Sequence, residues 1–198
     1  MKQYRIVLAL VLATLCRTSI ADAQEALPTA SRTLQLSAFG GVSGVFTGLS
    51  GGKNFSITAG GDLALPNYRA VRPVVEVRGT YPTDRGLVDS QKSILAGLRV
   101  DFLLGHHIHP YGDFLFGRGQ IDYRFGYLFR NQVYLRTTTN VLSPGAGFDY
   151  DLTNHWGIKV DGQFQHWGEA PTRSGAIYSK VGTVGIVYRF GFDRRHKP

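Results

Sequence analysis

One stretch near the end of the chain carries the clearest structural pattern: Val181-Gly182-Thr183-Val184-Gly185-Ile186-Val187-Tyr188-Arg189-Phe190-Gly191-Phe192. Its side chains alternate with period two, as those of a β-strand do. One predicted face carries Val184, Ile186, Tyr188, Phe190 and Phe192, and the other carries Thr183, Gly185 and Arg189. An apolar face opposite a small or polar face, ending in aromatic residues, is typical of the closing strand of a membrane barrel. We therefore expect the apolar face to meet lipid.

Seven segments upstream alternate in a similar way, so the sequence contains eight predicted strands. They lie at about residues 33–43, 54–65, 73–81, 92–104, 110–119, 137–150, 156–167 and 177–192. In the fifth segment Phe114 and Phe116 share a face with Arg118, while Tyr111 and Leu115 share the other face with Asp113, so its inner face stays open. The even strand count predicts an all-β fold, an eight-stranded antiparallel up-and-down transmembrane β-barrel over residues 33–192.

The N-terminal segment 1–23 has the composition of a secretory signal peptide. Lys2 and Arg5 give it a basic start, an apolar run covers residues 6–15, and Ala21-Asp22-Ala23 provides an A-x-A cleavage site. The apolar run is shorter than the roughly 20 residues that a membrane-spanning helix needs. We expect cleavage after Ala23 and export to the bacterial outer membrane.

The predicted mature chain is a single barrel with a short segment at each end. The only cysteine, Cys16, falls within the signal peptide, so the mature chain would have no disulfide. Residues 24–32 are predicted to be a linker, and residues 193–198 a basic C-terminal tail. A closed ladder of backbone hydrogen bonds would then have to hold the fold together.

The connectors between segments alternate in length. The long ones are 44–53, 82–91, 120–136 and 168–176, and the short ones are 66–72, 105–109 and 151–155. Short periplasmic turns and long outer loops are typical of such barrels. Aromatic residues fall near the strand ends, where girdles at the membrane surfaces would need them. The predicted girdle residues are Tyr81, Trp167 and Tyr178 at the outer end, and Phe102, Tyr111, Tyr150, Trp156 and Phe190 at the inner end.

On these features the chain resembles the small OmpA/OmpX-type eight-stranded outer-membrane barrels. The residues that carry the resemblance are the signal peptide, the alternating segments, the run Pro144-Gly145-Ala146-Gly147-Phe148-Asp149-Tyr150 and the closing Tyr188-Arg189-Phe190. The resemblance covers about residues 33–192 and implies a membrane barrel. Such barrels commonly end on an aromatic residue, whereas residues 193–198 follow here, so either Phe190 or Phe192 is the terminal assembly signal.

A soluble barrel of lipocalin type is the competing fold, because its strands also alternate but turn their apolar face inward around a ligand. In that fold the charged faces would form the exterior, which is permissible. Tyrosine and tryptophan residues at the strand ends would then have no evident role. The membrane barrel is therefore the favoured prediction.

The predicted inner faces carry four acidic and four basic residues: Glu76, Arg78, Arg99, Asp101, Asp149, Lys159, Asp161 and Arg189. An eight-stranded barrel has an interior just wide enough to be filled by side chains. Unpaired charges away from water are costly, so a paired lumen charge network is expected. This disfavours a wide pore, although a small narrow pore stays an alternative.

No catalytic, cofactor or metal site is predicted. Barrels resembling the lipid A deacylases use a His-x-Ser-Asn element, and this chain has His166-Trp167-Gly168-Glu169 instead, without the nucleophile. A lipid A-modifying hydrolase is kept as the alternative to a non-enzymatic protein. Three histidines in Gly105-His106-His107-Ile108-His109-Pro110 lack a nearby Cys, Asp or Glu, so they are interpreted as a solvated periplasmic turn.

The connection 121–136 is the most distinctive outer feature, because it continues to alternate and would turn near Arg130-Asn131-Gln132. Tyr123, Phe125, Tyr127 and Phe129 fall on one predicted side. Aromatic and arginine residues are favoured in recognition, and a protruding strand edge can accept a partner strand. The candidate surface-interaction residues are Tyr123, Arg124, Phe125, Tyr127, Phe129, Arg130 and Tyr134.

The functional prediction is a barrel that supports envelope integrity and binds an extracellular protein or cell-surface partner, in the manner of an adhesin. Basic residues in the outer half are better matched to the phosphates of lipopolysaccharide than to nucleic acid, which export makes an improbable partner. These residues are Lys53, Arg85, Lys92, Arg118, Arg124, Arg130, Arg136, Arg173 and Lys180. Outer-membrane lipids are therefore expected partners, and the barrel is expected to be a monomer.

Overall fold

The computed structural model describes residues 34–84, 86, 88–103 and 107–190. Its eight strands are β1 Gln35–Phe46, β2 Lys53–Ala64, β3 Val71–Pro82, β4 Asp89–Phe102, β5 Ile108–Phe129, β6 Gln132–Asp151, β7 Trp156–Gly168 and β8 Ala176–Arg189. Each strand pairs antiparallel with the next, and β8 pairs with β1 to close the barrel. The predicted eight-stranded antiparallel barrel is confirmed.

Several predictions lie outside the described residues. They concern the signal peptide, the whole linker 24–32, Arg85, His106, Phe192 and the tail 193–198. Among the residues that are described, none forms a helix long and apolar enough to cross a membrane.

Apolar side chains cover the outside of the barrel and charged ones lie inside. Phe116 and Val184 are 52% and 55% exposed, whereas Glu76 and Arg99 are only 0% and 2% exposed. Such an exterior is stable only in contact with lipid, because large contiguous apolar surfaces are unfavourable in water. The apolar faces therefore point outward, as a membrane barrel requires and as a lipocalin-type barrel does not.

The inner face of β5, which the sequence left open, is now assigned. Tyr111, Asp113 and Leu115 are buried in the barrel, while Phe116 and Arg118 point outward. Arg118 shares the outward face with aromatic residues because it lies towards the outer end of the strand, just beyond the apolar belt. Here the outer end means the end of the barrel that carries the β5–β6 hairpin.

The predicted contrast between long outer loops and short inner turns is largely wrong, because the strands extend into the outer connectors. The outer connectors are 47–52, 83–88, 130–131 and 169–175, and the inner ones are 65–70, 103–107 and 152–155. β5 and β6 are 22 and 20 residues long and meet at a two-residue turn. Arg130 and Asn131 have φ of 48° and 61° there, the left-handed backbone of a tight hairpin turn.

Two predicted girdle residues are wrong. Trp167 is 1% exposed and Tyr111 is 3% exposed, and both point into the barrel. Each shares its inner face with polar neighbours, Trp167 with Gln165 and Tyr111 with Asp113. The other predicted girdle residues are exposed at the strand ends; they are Tyr81, Tyr178, Phe102, Tyr150, Trp156 and Phe190.

Candidate functional site

The inner half of the barrel holds a network of ion pairs centred on two arginines. On β4, Arg99 Nε donates to Asp101 Oδ1 at 2.6 Å, and its Nη1 lies 3.3 Å from Asp62 Oδ2. Arg99 Nη2 also donates to Asp149 on β6. These contacts tie β2, β4 and β6 together across the lumen.

The second arginine, Arg78 on β3, has a similar arrangement. Its Nε donates to Glu76 Oε1 at 2.6 Å, and its Nη1 donates to Asp161 Oδ1 on β7 at 2.6 Å. Lys159 Nζ joins the two halves, because it lies 3.2 Å from Glu76 Oε2 and 3.6 Å from Asp62 Oδ2. The network is therefore continuous across the barrel.

The membership of this network differs from the predicted set. Asp62 and Asp113 belong to it, since Asp113 Oδ2 lies 3.7 Å from Arg78 Nη2. Arg189 instead contacts Asp151 at 2.6 Å at the inner end of the barrel. Asp113 was missed because the inner face of its strand could not be assigned from the sequence. The central network thus contains more carboxylates than cations.

Neutral donors and aromatic rings supplement the cations. Tyr111 Oη donates to Asp161 Oδ2 at 3.0 Å, and Gln163 Nε2 donates to Asp113 Oδ2 at 2.8 Å. The Arg99 guanidinium lies 3.7 Å from the centroid of the Tyr111 ring. Such contacts partly replace the water that these buried charges have lost.

Above the ion pairs, towards the outer end, the interior is apolar. The cluster consists of Leu49, Leu95, Leu115, Ile121, Tyr123, Val141, Trp167, Ala170 and Ile177. Trp167 packs directly over Gly119, where any Cβ would collide with the indole ring. The sequence does signal this cluster, since alternation is lost where Ile94 and Leu95, and Leu115 and Phe116, are apolar on both faces. We did not predict it.

Buried hydroxyl groups on four neighbouring strands form a third part of the lumen. Ser43 lies 2.8 Å from Thr183 and 2.6 Å from Thr58, which in turn lies 3.0 Å from Thr80. This hydrogen-bonded chain crosses β8, β1, β2 and β3. Together with the ion pairs and the apolar cluster, it favours a plugged interior over a conducting one.

The second candidate site is the part of the β5–β6 hairpin beyond the barrel rim. β5 pairs with β4 only as far as Tyr123, which faces Asp89. β6 pairs with β7 only from Val141, which faces Trp167. Among the described residues, 127–129 therefore pair only with 132–134, and 136–140 pair with 118–122 of β5 but not with β7. The N–H of Arg124 still donates to Val88 O at 3.0 Å, at the base of the tip. Beyond Arg124, the tip is a two-stranded ribbon with two open edges.

The predicted single aromatic side of this hairpin is wrong. The ladder between β5 and β6 shifts register between Asp122 and Tyr127, and Gly126 has φ of +78°. This bulge turns Phe125 outward, where it is 85% exposed, whereas Tyr123 is 6% exposed and packs in the apolar cluster. Tyr123 therefore anchors the hairpin to the barrel and is not a surface residue.

The other candidate surface residues have intermediate or high exposure. Arg124 and Arg130 are exposed, and Tyr127, Phe129 and Tyr134 are half-buried. The Tyr127 ring stacks on Tyr123 with centroids 5.4 Å apart. Three exposed aliphatic residues of the tip were missed by the prediction, which looked for aromatic and arginine residues; they are Leu128, Val133 and Leu135.

A small charged cluster supports the base of the hairpin. Asp122 Oδ1 accepts hydrogen bonds from Arg136 Nε at 2.7 Å and from Gln120 Nε2 at 2.8 Å, and Lys92 Nζ lies 3.7 Å from its Oδ2. Partial burial by itself acts to raise the pKa of the Asp122 carboxyl. The two hydrogen bonds and the charges of Arg136 and Lys92 outweigh this effect, so the net pKa lies below its ordinary value.

The two chemical motifs singled out in the sequence form no reaction centre in the described structure. His166 points outward, with its ring 5.1 Å from that of Tyr178, and the described residues include no hydrogen bond from it to a serine or a carboxylate. His109 Nε2 lies 3.1 Å from Asp151 Oδ2. No group of three or more metal-binding side chains occurs within the described ranges.

Sequence comparisons find no relatives: no family model matches the chain, and no curated protein is significantly similar to it. Solved structures do match its fold. Neisserial surface protein A superposes with a TM-score of 0.53 and 14% sequence identity, over 80% of this chain and 97% of that protein. The chain has the fold of the small OmpA/OmpX-type outer-membrane barrels.

Other barrels of this kind superpose less closely. Ail, the attachment invasion locus protein of Yersinia pestis, has a TM-score of 0.43 and 11% identity, over 79% of this chain and 97% of Ail. The outer membrane enzyme PagL has a TM-score of 0.44 and 14% identity, over 80% of this chain and 99% of PagL.

Proposed function

We propose that the protein is a non-enzymatic surface-binding protein of the bacterial outer membrane, and that its β5–β6 hairpin tip binds an extracellular protein. The single observation that carries this proposal is the ribbon of residues 124–135, which projects past its neighbouring strands with exposed apolar side chains. A two-stranded ribbon gains little stability by itself, so a functional role is a reason to keep it.

The apolar surface of the tip is separated from the lipid-facing belt. Along the outward face of β5, Phe116 is followed by Arg118, Gln120 and Asp122 before Phe125. This polar band places the tip beyond the lipid. There Phe125, Leu128, Val133 and Leu135 are 85%, 68%, 65% and 69% exposed. An apolar patch of this kind in water favours a protein interface.

The chemistry of the tip fits protein recognition. Arg124 and Arg130 lie over the rings of Phe125 and Phe129, at 5.4 Å and 5.3 Å from the ring centroids. Arginine and aromatic residues are enriched among the residues that dominate binding energy. The open edges of the ribbon can also accept an added strand from a partner, with backbone hydrogen bonds supplying affinity.

The filled barrel supports this function as a rigid base. Tyr123 anchors the hairpin in the apolar cluster, and the ion pairs below it join strands across the lumen. In this proposal the barrel contributes to envelope integrity through its stability and presents the tip at a fixed position.

The test uses the full protein refolded in fluorescent liposomes. Phe125→Ser combined with Leu135→Ser removes two exposed apolar side chains from the tip. Tyr68→Ser combined with Leu152→Ser is the matched control, because these residues are 67% and 55% exposed at the opposite end. Binding is measured to immobilised extracellular-matrix proteins, to cultured host cells and to cells that carry the same protein.

We expect the unmodified and control proteins to bind at least one of these surfaces and the tip variant to lose most of that binding. Gel mobility with and without boiling verifies that each variant is folded. Equal binding by the tip variant and the control, with both folded, would contradict the proposal, as would the failure of the unmodified protein to bind any surface above protein-free liposomes.

A further inference from the structure

A depression of about 510 Å³ lies on the outer surface of the barrel, below the hairpin and near the outer end of β2 to β6. Its floor and walls include Ile57, Ala59, Gly79, Tyr81 and Ile94. We call it the outer trough. It is distinct from the hairpin tip, and it faces the side on which the apolar belt meets lipid.

The trough exists because two adjacent outward positions carry very small side chains. Ala59 on β2 pairs with Gly79 on β3, between the larger Ile57 and Ile94. A Cβ added to Gly79 would meet only Ser93 O, at 3.9 Å, so the space above this glycine is open. The surface can therefore accept an extended hydrocarbon chain at this point.

Two cations lie at the rim of the trough. Lys92 on β4 faces Gln120 on β5, and Arg118 is two residues from Gln120 on the same face. Diagonal neighbours of this kind have Cα atoms about 7–8 Å apart, a distance over which two long side chains can reach the same phosphate. Both cations lie where the apolar belt ends, since Phe116 precedes Arg118 on the outward face of β5.

The charge at the rim is positive. Asp122 is the nearby carboxylate; it accepts a hydrogen bond from Arg136 and lies 3.7 Å from Lys92. The three positive charges of Lys92, Arg118 and Arg136 thus outnumber the single negative charge of this carboxylate. Lys92 Nζ also lies 5.9 Å from the centroid of the Tyr81 ring, which places the ammonium group over the outer edge of the trough.

We propose that the outer trough is a binding site for lipid A, the phosphorylated and multiply acylated glycolipid of the outer leaflet. One acyl chain lies over Ala59 and Gly79, and a phosphate is bound by Lys92 and Arg118. That lipid A is the natural ligand rests on the outer-membrane location in the proposed function, because lipid A belongs to that membrane. The site itself is independent of the hairpin tip and is tested without it.

The first test is native mass spectrometry of the full protein in detergent, with bisphosphorylated lipid A, dephosphorylated lipid A or phosphatidylethanolamine added. The variant Lys92→Gln with Arg118→Gln is compared with Arg69→Gln, which removes an exposed cation from the inner connector 65–70, at the opposite end of the barrel. We expect the trough variant to retain roughly tenfold less bisphosphorylated lipid A, as loss of two phosphate contacts predicts, and the control to retain the normal amount.

The second test fills the trough. Gly79→Leu is compared with Gly44→Leu, because Gly44 is an outward glycine on β1 whose Cβ would meet nothing within 4 Å. Only Gly79→Leu should reduce lipid A binding, and both variants should keep the gel-mobility shift of a folded barrel.

Three results would overturn the proposal. These are equal retention of phosphatidylethanolamine and lipid A by the unmodified protein, equal losses in the Lys92/Arg118 and Arg69 variants, and unchanged binding in folded Gly79→Leu. None of them depends on whether the hairpin tip binds a protein, so this inference and the proposed function fail separately.

Discussion

Arg99 Nε lies 2.6 Å from Asp101 Oδ1, and the two residues stand two positions apart on the same inner face of β4. On β3, Arg78 Nε lies 2.6 Å from Glu76 Oε1 with the same spacing. Adjacent inward positions on a strand therefore form local ion pairs, and the remaining guanidinium nitrogens reach across the lumen. Each arginine joins a local pair to a distant strand.

Removal of Arg99 should be strongly destabilising. Arg99→Gln would leave Asp62, Asp101 and Asp149 without their shared cation in a buried site. The loss of one partner from a buried charge network typically costs about 3–5 kcal/mol. We expect the free energy of unfolding to fall by this amount when it is measured by urea titration of the barrel in lipid vesicles.

The matched control for this prediction is Arg136→Gln. The Arg136 side chain is 65% exposed, although it also contacts a carboxylate, that of Asp122. Exposed pairs contribute about 0–1 kcal/mol, so the control should unfold at nearly the normal urea concentration. Similar losses in the two variants would refute the view that burial makes the Arg99 pairs important.

The apolar cluster provides a second test of the filled interior. Trp167→Ala would leave a cavity among Leu115, Ile121 and Val141, and truncation of a buried tryptophan typically costs about 3–5 kcal/mol. Trp156→Ala is the control, because Trp156 is 50% exposed at the inner end. In urea titrations the first variant should be much less stable than the second; the reverse order would show that Trp167 does not pack as described.

The strands and their closure could be predicted from the sequence because period-two alternation is a direct consequence of strand geometry. The interior was predicted less completely. Asp113 was missed because Phe116 and Arg118 lie on the same face of β5, so neither face of that strand was clearly apolar. Phe116 on this face meets lipid, whereas Arg118 lies beyond the lipid. Alternation separates two faces only while each face meets one environment, and on β5 the outer face meets two.

The hairpin illustrates a different limit. The positions of its strands and turn followed from continued alternation, whereas the bulge between Asp122 and Tyr127 could not be predicted from it. Five steps along β5 there match two steps along β6. Such a bulge changes the direction of the side chains within it. Phe125 lies inside the bulge and is 85% exposed, while Tyr123 before it and Tyr127 after it stack on each other. Gly126, with φ of +78°, was the sequence signal available for this bulge.

The turn of the hairpin should be sensitive to side-chain shape. Asn131 has φ of 61°, a conformation that β-branched residues strongly disfavour. Asn131→Val should therefore destabilise the tip by roughly 1–2 kcal/mol and increase hydrogen exchange of its amides, which solution NMR in nanodiscs measures. Asn140→Val, at an exposed position within β6, should leave exchange at the tip unchanged. Equal protection in both variants would contradict the tight turn at residues 130–131.

The base of the hairpin should depend on pH only in strongly acidic solution. The pKa of Asp122 is lowered from its ordinary value of 3.8, so its ionised form is favoured in the folded protein. A lowered pKa contributes stability above the unfolded value, and that contribution is lost as the pH falls through the folded value. The Arg136 Nε–H resonance, which reports the hydrogen bond to Asp122, should therefore stay constant from about pH 7 to pH 5 and shift only below about pH 4. In Asp122→Asn the same resonance should show no such acid transition, and a transition centred above pH 5 in the unmodified protein would mean that Arg136 and Lys92 do not hold the carboxylate in its ionised form.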